Sequence, residues 1–170
     1  MRRLLLCEGI VFDSSAFGRP ASEDGLAGNA MAEMTRARRV VWPDRDVVRE
    51  RYAARTPFDV VAAEALDAYL RWGFFDRSDG QVEMACAPET EAAIYEMPPL
   101  PSGPGAAFAH LPALAGRCSV LHGEASYLPQ PWFQAQADAA GVPLQTIPGG
   151  HFFLQEDTAR GEALVREALS

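Results

Sequence analysis

Lysine is missing from this 170-residue chain, and all fifteen basic residues are arginine. Acidic residues number 23, so the net charge is −8 and the pI about 4.8. A chain of that sign repels phosphate, which excludes nucleic acid as a partner class. It also favours a soluble protein whose copies repel one another. Cysteine is scarce: Cys7, Cys86 and Cys118 lie far apart, with no C-x-x-C and no Cys/His cluster. That spacing argues against structural zinc. An odd number of cysteines with apolar neighbours fits reduced, buried thiols in a cytoplasm. No apolar run approaches the length of a membrane span. The stretch from Met1 to Cys7 is too short for a signal peptide, and Glu8 interrupts it. No G-x-S-x-G occurs, so no serine stands on the strained strand-to-helix turn that this motif forms. Internal repeats and low-complexity tracts are also absent. The arginine-only basic set, with abundant Ala, Gly and Pro, fits GC-rich bacterial coding.

What is present suits a globular protein. Hydrophobic residues make up 48% of the chain, too many for disorder, and the length allows one domain with a substantial core. LLLC over Leu4–Cys7 reads as a strand buried on both faces, the habit of parallel sheets. Ser14–Gly28 reads as a loop, and Ala30–Val41 as a helix with Met31, Met34 and Val41 on one side. Asp44 is placed to cap a second helix carrying Val47, Val48 and Tyr52. Thr56-Pro57 reads as the start of a third, with proline at its first position and a stripe of Ala62, Leu66, Tyr69, Leu70 and Gly73. Asp79-Gly80 marks a turn, Gln81–Cys86 an extended segment, and Pro88 opens a helix through Ile94 and Tyr95. Pro98–Gly105 is a connection. Cys118–His122 and Leu144–Ile147 read as strands. Pro131–Ala140 and Glu156–Leu169 read as helices, the last with Leu164, Val165, Ala168 and Leu169 turned inward. The closing elements alternate strand and helix, which implies a parallel sheet with covering helices.

Two motifs carry chemistry. In LQTIPGGHFF (Leu144–Phe153) a strand ends in Pro148-Gly149-Gly150 and His151 follows at once. Glycines at that point let the backbone turn and present an imidazole beyond the strand's carboxyl end. In LLLCEGI (Leu4–Ile10) a carboxylate, Glu8, interrupts an apolar run. An unpaired charge there would cost several kcal/mol, so it needs a partner such as a histidine N–H.

These motifs, with the helical insert and VLHGEAS (Val120–Ser126), resemble the C-terminal part of an α/β-hydrolase, across essentially the whole chain. The resemblance implies a partial α/β-hydrolase fold of about three parallel strands with covering helices and a helical cap insertion. Residues 1–13 would hold the first core strand and acid loop, 14–100 the cap and connection, and 101–170 the C-terminal core with the histidine loop. It implies that the chain begins at the family's sixth strand, with the nucleophile elbow upstream of Met1. His151 would be the general base and Glu8 the acid, in the family's chain order. Many members carry the acid after the seventh strand, where the frame Gly123-Glu124-Ala125-Ser126 here offers Ser126; Glu124 is the fallback. No cofactor and no metal is implied. The substrate would be a small apolar ester-like molecule, met only when an N-terminal half completes the site, so this chain alone is expected to be inactive.

Other candidates weigh less. Cys7 lies inside a strand rather than on an elbow. Ser14, Ser15 and Ser126 lack an elbow's glycines. His122 reads as a structural residue closing its strand, and His110 as part of a flexible connection. The insert's Met31, Met34, Trp42, Tyr52, Phe58, Tyr69, Trp72, Phe74 and Phe75 read as packing or as an apolar pocket wall. Arg36, Arg38 and Arg39 read as a solvated helix face. The competing reading is a non-catalytic binding or assembly module, or one half of a split hydrolase. Such a module would meet a protein partner, or itself, through an exposed sheet edge.

Overall fold

The computed structural model describes residues 3–11, 26–96 and 104–169. In chain order the elements are β1 (Leu4–Cys7), α1 (Leu26–Arg36), β2 (Val41–Trp42), α2 (Arg45–Ala53), α3 (Ala63–Trp72), β3 (Phe74–Asp76), β4 (Val82–Met84), α4 (Pro88–Tyr95), α5 (Pro104–Phe108), β5 (Cys118–Gly123), α6 (Gln130–Ala140), β6 (Leu144–Ile147), α7 (Phe153–Glu156) and α8 (Thr158–Leu169). Ser14, Ser15 and most of the Pro98–Gly105 connection lie outside the described residues. The chain divides into two compact units, one of residues 1–21 and 98–170 and one of residues 22–97.

The first unit is built on a parallel sheet ordered β1-β5-β6. Both faces are apolar because alternate residues of each strand serve different cores. Leu6, Cys118 and Val120 join Phe133, Ala137 and Ala140 of α6, with Leu4 and Leu144 packed against them. Leu121 and Ile147 join Phe153, with Leu5, Cys7 and Leu164 at their margin. That two-sided covering is why the strands read as near-continuous apolar runs. The central strand is β5. β1 lies at the edge, and only Leu6 of its four residues is buried, so the expectation of a strand buried on both faces is corrected. Among the described residues β1 has one neighbouring strand, and its side chains are half-covered. The closing helix expected over Glu156–Leu169 is α8, which starts at Thr158 after the short α7, and Val165 is exposed rather than inward. His110 is also not in a loose connection. It links α5 to a 3-10 turn at Leu111–Leu114, accepting from the Ala113 N–H and donating to the Ala107 carbonyl, both at 3.1 Å.

The second unit holds a small antiparallel sheet ordered β2-β4-β3. The sequence reading missed β2 and β3, which are too short to show a period. Its core is Trp42, Val48, Leu66, Leu70, Phe74, Val82 and Met84, with Tyr52, Phe58 and Val61 alongside. Asp44 caps α2, accepting from the Val47 N–H at 2.8 Å. The expected helix at Pro57 is corrected. A 3-10 turn covers Phe58–Val60, Val61 is extended, and α3 starts at Ala63. Two consecutive β-branched valines resist the helix there. The helix expected over Ala30–Val41 ends at Arg36. Among its described side chains Ala32 and Thr35 are buried, whereas Met31 and Met34 are exposed. Small side chains let a neighbouring helix approach, and α1 packs on α4, where Ala92 is buried. The arginines at the end of this helix and just beyond it are not simply solvated. Arg36 binds Glu89 at 2.9 Å and Glu96 at 2.7 Å, and Arg38 binds Glu91 at 2.6 Å. Arg39 stacks on Trp42, its guanidinium 4.7 Å from the ring centroid. Trp72 and Phe75 are exposed, outside the core expected for them. Cys86 is exposed too, against the expectation of three buried thiols.

Candidate active site

The register of the parallel sheet pairs Cys7 with Leu121, so the chain beyond β1 emerges beside the end of β5. Glu8 continues the ladder by donating its N–H to the Leu121 carbonyl at 3.0 Å. Its φ is +46°, and among the described residues no other non-glycine has a positive φ. That left-handed backbone costs a non-glycine residue about 1–2 kcal/mol and marks a position held by its surroundings. The turn places the carboxylate over the end of β5, where its side chain is wholly buried. Oε1 accepts from the Gly123 N–H at 2.7 Å, and Oε2 accepts from the Ser126 hydroxyl at 2.8 Å. Oε2 also faces His151 Nδ1 at 2.5 Å. His122 Nε2 stands 3.7 Å from Oε1. Among the described residues no arginine pairs with Glu8, and the groups there that can carry positive charge opposite it are the two imidazoles.

The histidine loop is fixed from three sides. Gly149, at φ +120°, makes a turn that suits glycine alone. The Gly150 N–H donates to both carboxylate oxygens of Glu156, at 3.0 and 2.8 Å. The segment after β5 ties to the loop through Glu124 N–H to the Ile147 carbonyl at 2.8 Å and Ala125 N–H to the Gly149 carbonyl at 2.9 Å. Gly123 makes this closeness feasible: a Cβ there would sit 2.2 Å from the Gly150 carbonyl oxygen. The His151 ring meets Tyr127 at 5.2 Å and Phe152 at 4.8 Å, both edge-on, and its side chain keeps 22% exposure. A buried carboxylate on one ring nitrogen of a partly open imidazole is an arrangement suited to general base chemistry.

The structure brings Glu8 and His151 together. It leaves Glu124 exposed, with no hydrogen bond to the imidazole. Ser126 stands at the frame position where an acid was expected and hydrogen-bonds Glu8 instead. Cys7 is half-buried within β1, and burial pushes its thiol up, away from the thiolate a nucleophile needs. His122 packs on Phe133 with ring centroids 5.0 Å apart. Its closeness to Glu8 escaped the sequence reading, although both residues sit at the ends of strands that proved to be neighbours. Among the described residues no group of three His, Cys, Asp or Glu could hold a metal ion. No described helix is long and apolar enough to cross a membrane.

No family model and no curated protein matches the sequence. Solved structures do match in shape. The chain superposes on E-2-(acetamidomethylene)succinate hydrolase with a TM-score of 0.58 at 17% identity, covering 83% of this chain and 51% of that one. The thioesterase domain from the curacin biosynthetic pathway gives 0.59 at 17% identity, covering 88% and 53%. The peroxisomal α/β-hydrolase Lpx1 of Saccharomyces cerevisiae gives 0.61 at 12%, covering 82% and 38%. The chain thus spans about half, or less, of the length of these structures.

Proposed function

We propose, from the α/β-hydrolase fold that this chain carries in part, that it supplies the acid and base of a hydrolase whose nucleophile lies outside these residues. The observation supporting this reading is the 2.5 Å approach of His151 Nδ1 to a Glu8 carboxylate that is buried and held by two further donors. With the proton on Nδ1 and directed at Glu8, the Nε2 lone pair is free. A serine or aspartate on the missing elbow would attack an ester, amide or halide carbon. For a serine, His151 Nε2 takes the hydroxyl proton as the bond to the acyl carbon forms, then returns it to the leaving group as the old bond breaks. For an aspartate, His151 instead takes a proton from the water that cleaves the ester intermediate. Glu8 holds the tautomer and stabilises the imidazolium. Residues 22–97 enter the chain between β1 and β5, where the family carries its cap.

Without the nucleophile and oxyanion donors the chain itself has no serine-hydrolase turnover. The test is to read the coding DNA upstream of Met1 in frame and to treat the chain with a fluorophosphonate. The reading expects an upstream G-x-S-x-G or G-x-D-x-G and no active-site burst from the chain alone. A stop codon immediately upstream, or stoichiometric labelling of the chain, overturns it.

One observation favours a second reading, a binding module or half of a split enzyme. Among the described residues β1 pairs only with β5, so its other edge carries no strand. An open edge is a pairing site for another chain. Light scattering that finds a stable monomer would count against this alternative.

A further inference from the structure

His122 is a second imidazole at the same carboxylate, and the acid–base reading gives it no task. It lies in β5 and is 6% exposed. Its Nε2 faces two oxygens, the Leu128 carbonyl at 3.4 Å and Glu8 Oε1 at 3.7 Å. Its Nδ1 is buried and has no hydrogen-bond partner among the described residues. A neutral imidazole has one donor and one acceptor nitrogen. A lone pair on Nε2 would face two acceptors, and an N–H on Nδ1 would be a buried donor with nothing to accept it. Both considerations place one proton, on Nε2. A second proton would create that unsatisfied Nδ1–H against Phe133 in a buried site.

We infer that His122 is a positioning residue, a neutral Nε2–H donor held on the Leu128 carbonyl with its N–H dipole facing Glu8 Oε1 from 3.7 Å, which favours the carboxylate orientation that presents Oε2 to His151. The inference rests on the acid–base reading above. Its logic is charge as well as geometry. A cationic His122 would neutralise Glu8 and remove the charge that stabilises His151 when it takes a proton. A neutral donor steadies the carboxylate and leaves its charge for His151. His122 also links the carboxylate to the segment after β5, since the Ser126 hydroxyl that donates to Glu8 accepts from the Leu128 N–H at 3.1 Å.

Nitrogen-15 NMR of the intact chain at neutral pH separates the three states of His122, and a protonated Nε2 with bare Nδ1 is expected. His122→Phe keeps the ring packing on Phe133 and loses the donor, whereas His122→Gln keeps a donor. In the Phe variant the low-field Nδ1–H signal of His151 should exchange with water several-fold faster, since the carboxylate loses the N–H dipole that faces it from 3.7 Å in a buried site. The Gln variant should restore the slower rate. An Nδ1–H tautomer or an imidazolium at His122 overturns the inference, even if the Phe variant does not fold. A folded Phe variant with unchanged exchange overturns it too. If the unaltered chain shows no low-field His151 proton, the Glu8–His151 pair itself fails, which is a distinct result that removes both readings.

Discussion

His151 Nδ1 and Glu8 Oε2 meet at 2.5 Å although 143 positions separate the two residues in the chain. The contact is made by sheet topology. β1 and β6 flank β5, and the segments leaving all three strands converge at one end of the sheet. Glu8 arrives there through a left-handed turn and His151 through a glycine turn.

Replacing Glu8 with glutamine should switch the His151 tautomer. The carboxylate accepts from Gly123, Ser126 and the His151 ring. A glutamine can keep the Gly123 bond through its oxygen and then offers N–H groups to Ser126 and His151. The imidazole would answer by accepting on Nδ1 and carrying its proton on Nε2, the wrong form for a base. Nitrogen-15 shifts of His151 should show the switch, and in a completed enzyme kcat should fall by roughly 10³–10⁴-fold.

Gly123→Ala should loosen the histidine loop. The new Cβ would meet the backbone oxygen of Gly150 at 2.2 Å, and backbone cannot rotate away as a side-chain end can. The cost should reach the upper part of the range of about 1–3 kcal/mol for overpacking, seen as a lower urea midpoint. The Glu124 and Ala125 amides, which bond across to Ile147 and Gly149, should lose hydrogen-exchange protection first.

The three cysteines should differ in reactivity. Cys86 is exposed, Cys7 half-buried and Cys118 buried. Burial pushes the Cys7 and Cys118 thiols up, so their thiolates appear only above the usual thiol range. Mass spectrometry after a short maleimide pulse at neutral pH should find Cys86 modified first. Equal labelling of all three in the folded chain would contradict this.

Acid should weaken the contact between α1 and α4. The Arg36 side chain, hydrogen-bonded to Glu96, holds that carboxyl below its ordinary value. A carboxyl depressed in the folded state stabilises it fully above the unfolded value, and that contribution is lost as pH falls through the folded one. Glu96→Gln should therefore lower stability at neutral pH and make no difference at the acid end. The effect should be small and salt-sensitive, since the pair is exposed. Thermal melts of both proteins across that pH range would check it.

Several elements were legible because local chemistry fixed them. Asp44 caps α2 by a bond to its own next turn, and α4 opens at Pro88 where proline's missing N–H costs nothing. β1, β5 and β6 stood out as short apolar runs bounded by turn residues, and their alternation with α6 implied the parallel sheet, whereas the α/β-hydrolase fold was implied only by the resemblance of the motifs to that family. The strands β2 and β3 did not show, because two or three residues carry no period. The side of α1 that is buried was misread, since Ala32 and Thr35 are less apolar than Met31 and Met34 and win only by fitting close to another helix.

The sequence by itself determined the residue types at issue: a histidine after a glycine turn, a carboxylate in an apolar run, and no serine on a G-x-S-x-G. It left Glu8 and Glu124 both open as the acid. Strand order and register set that Glu8 faces His151 and that Ser126, Gly123 and His122 surround the Glu8 carboxylate. Pairing between distant strands is set by the packing of the whole sheet, and no local pattern in the chain encodes it.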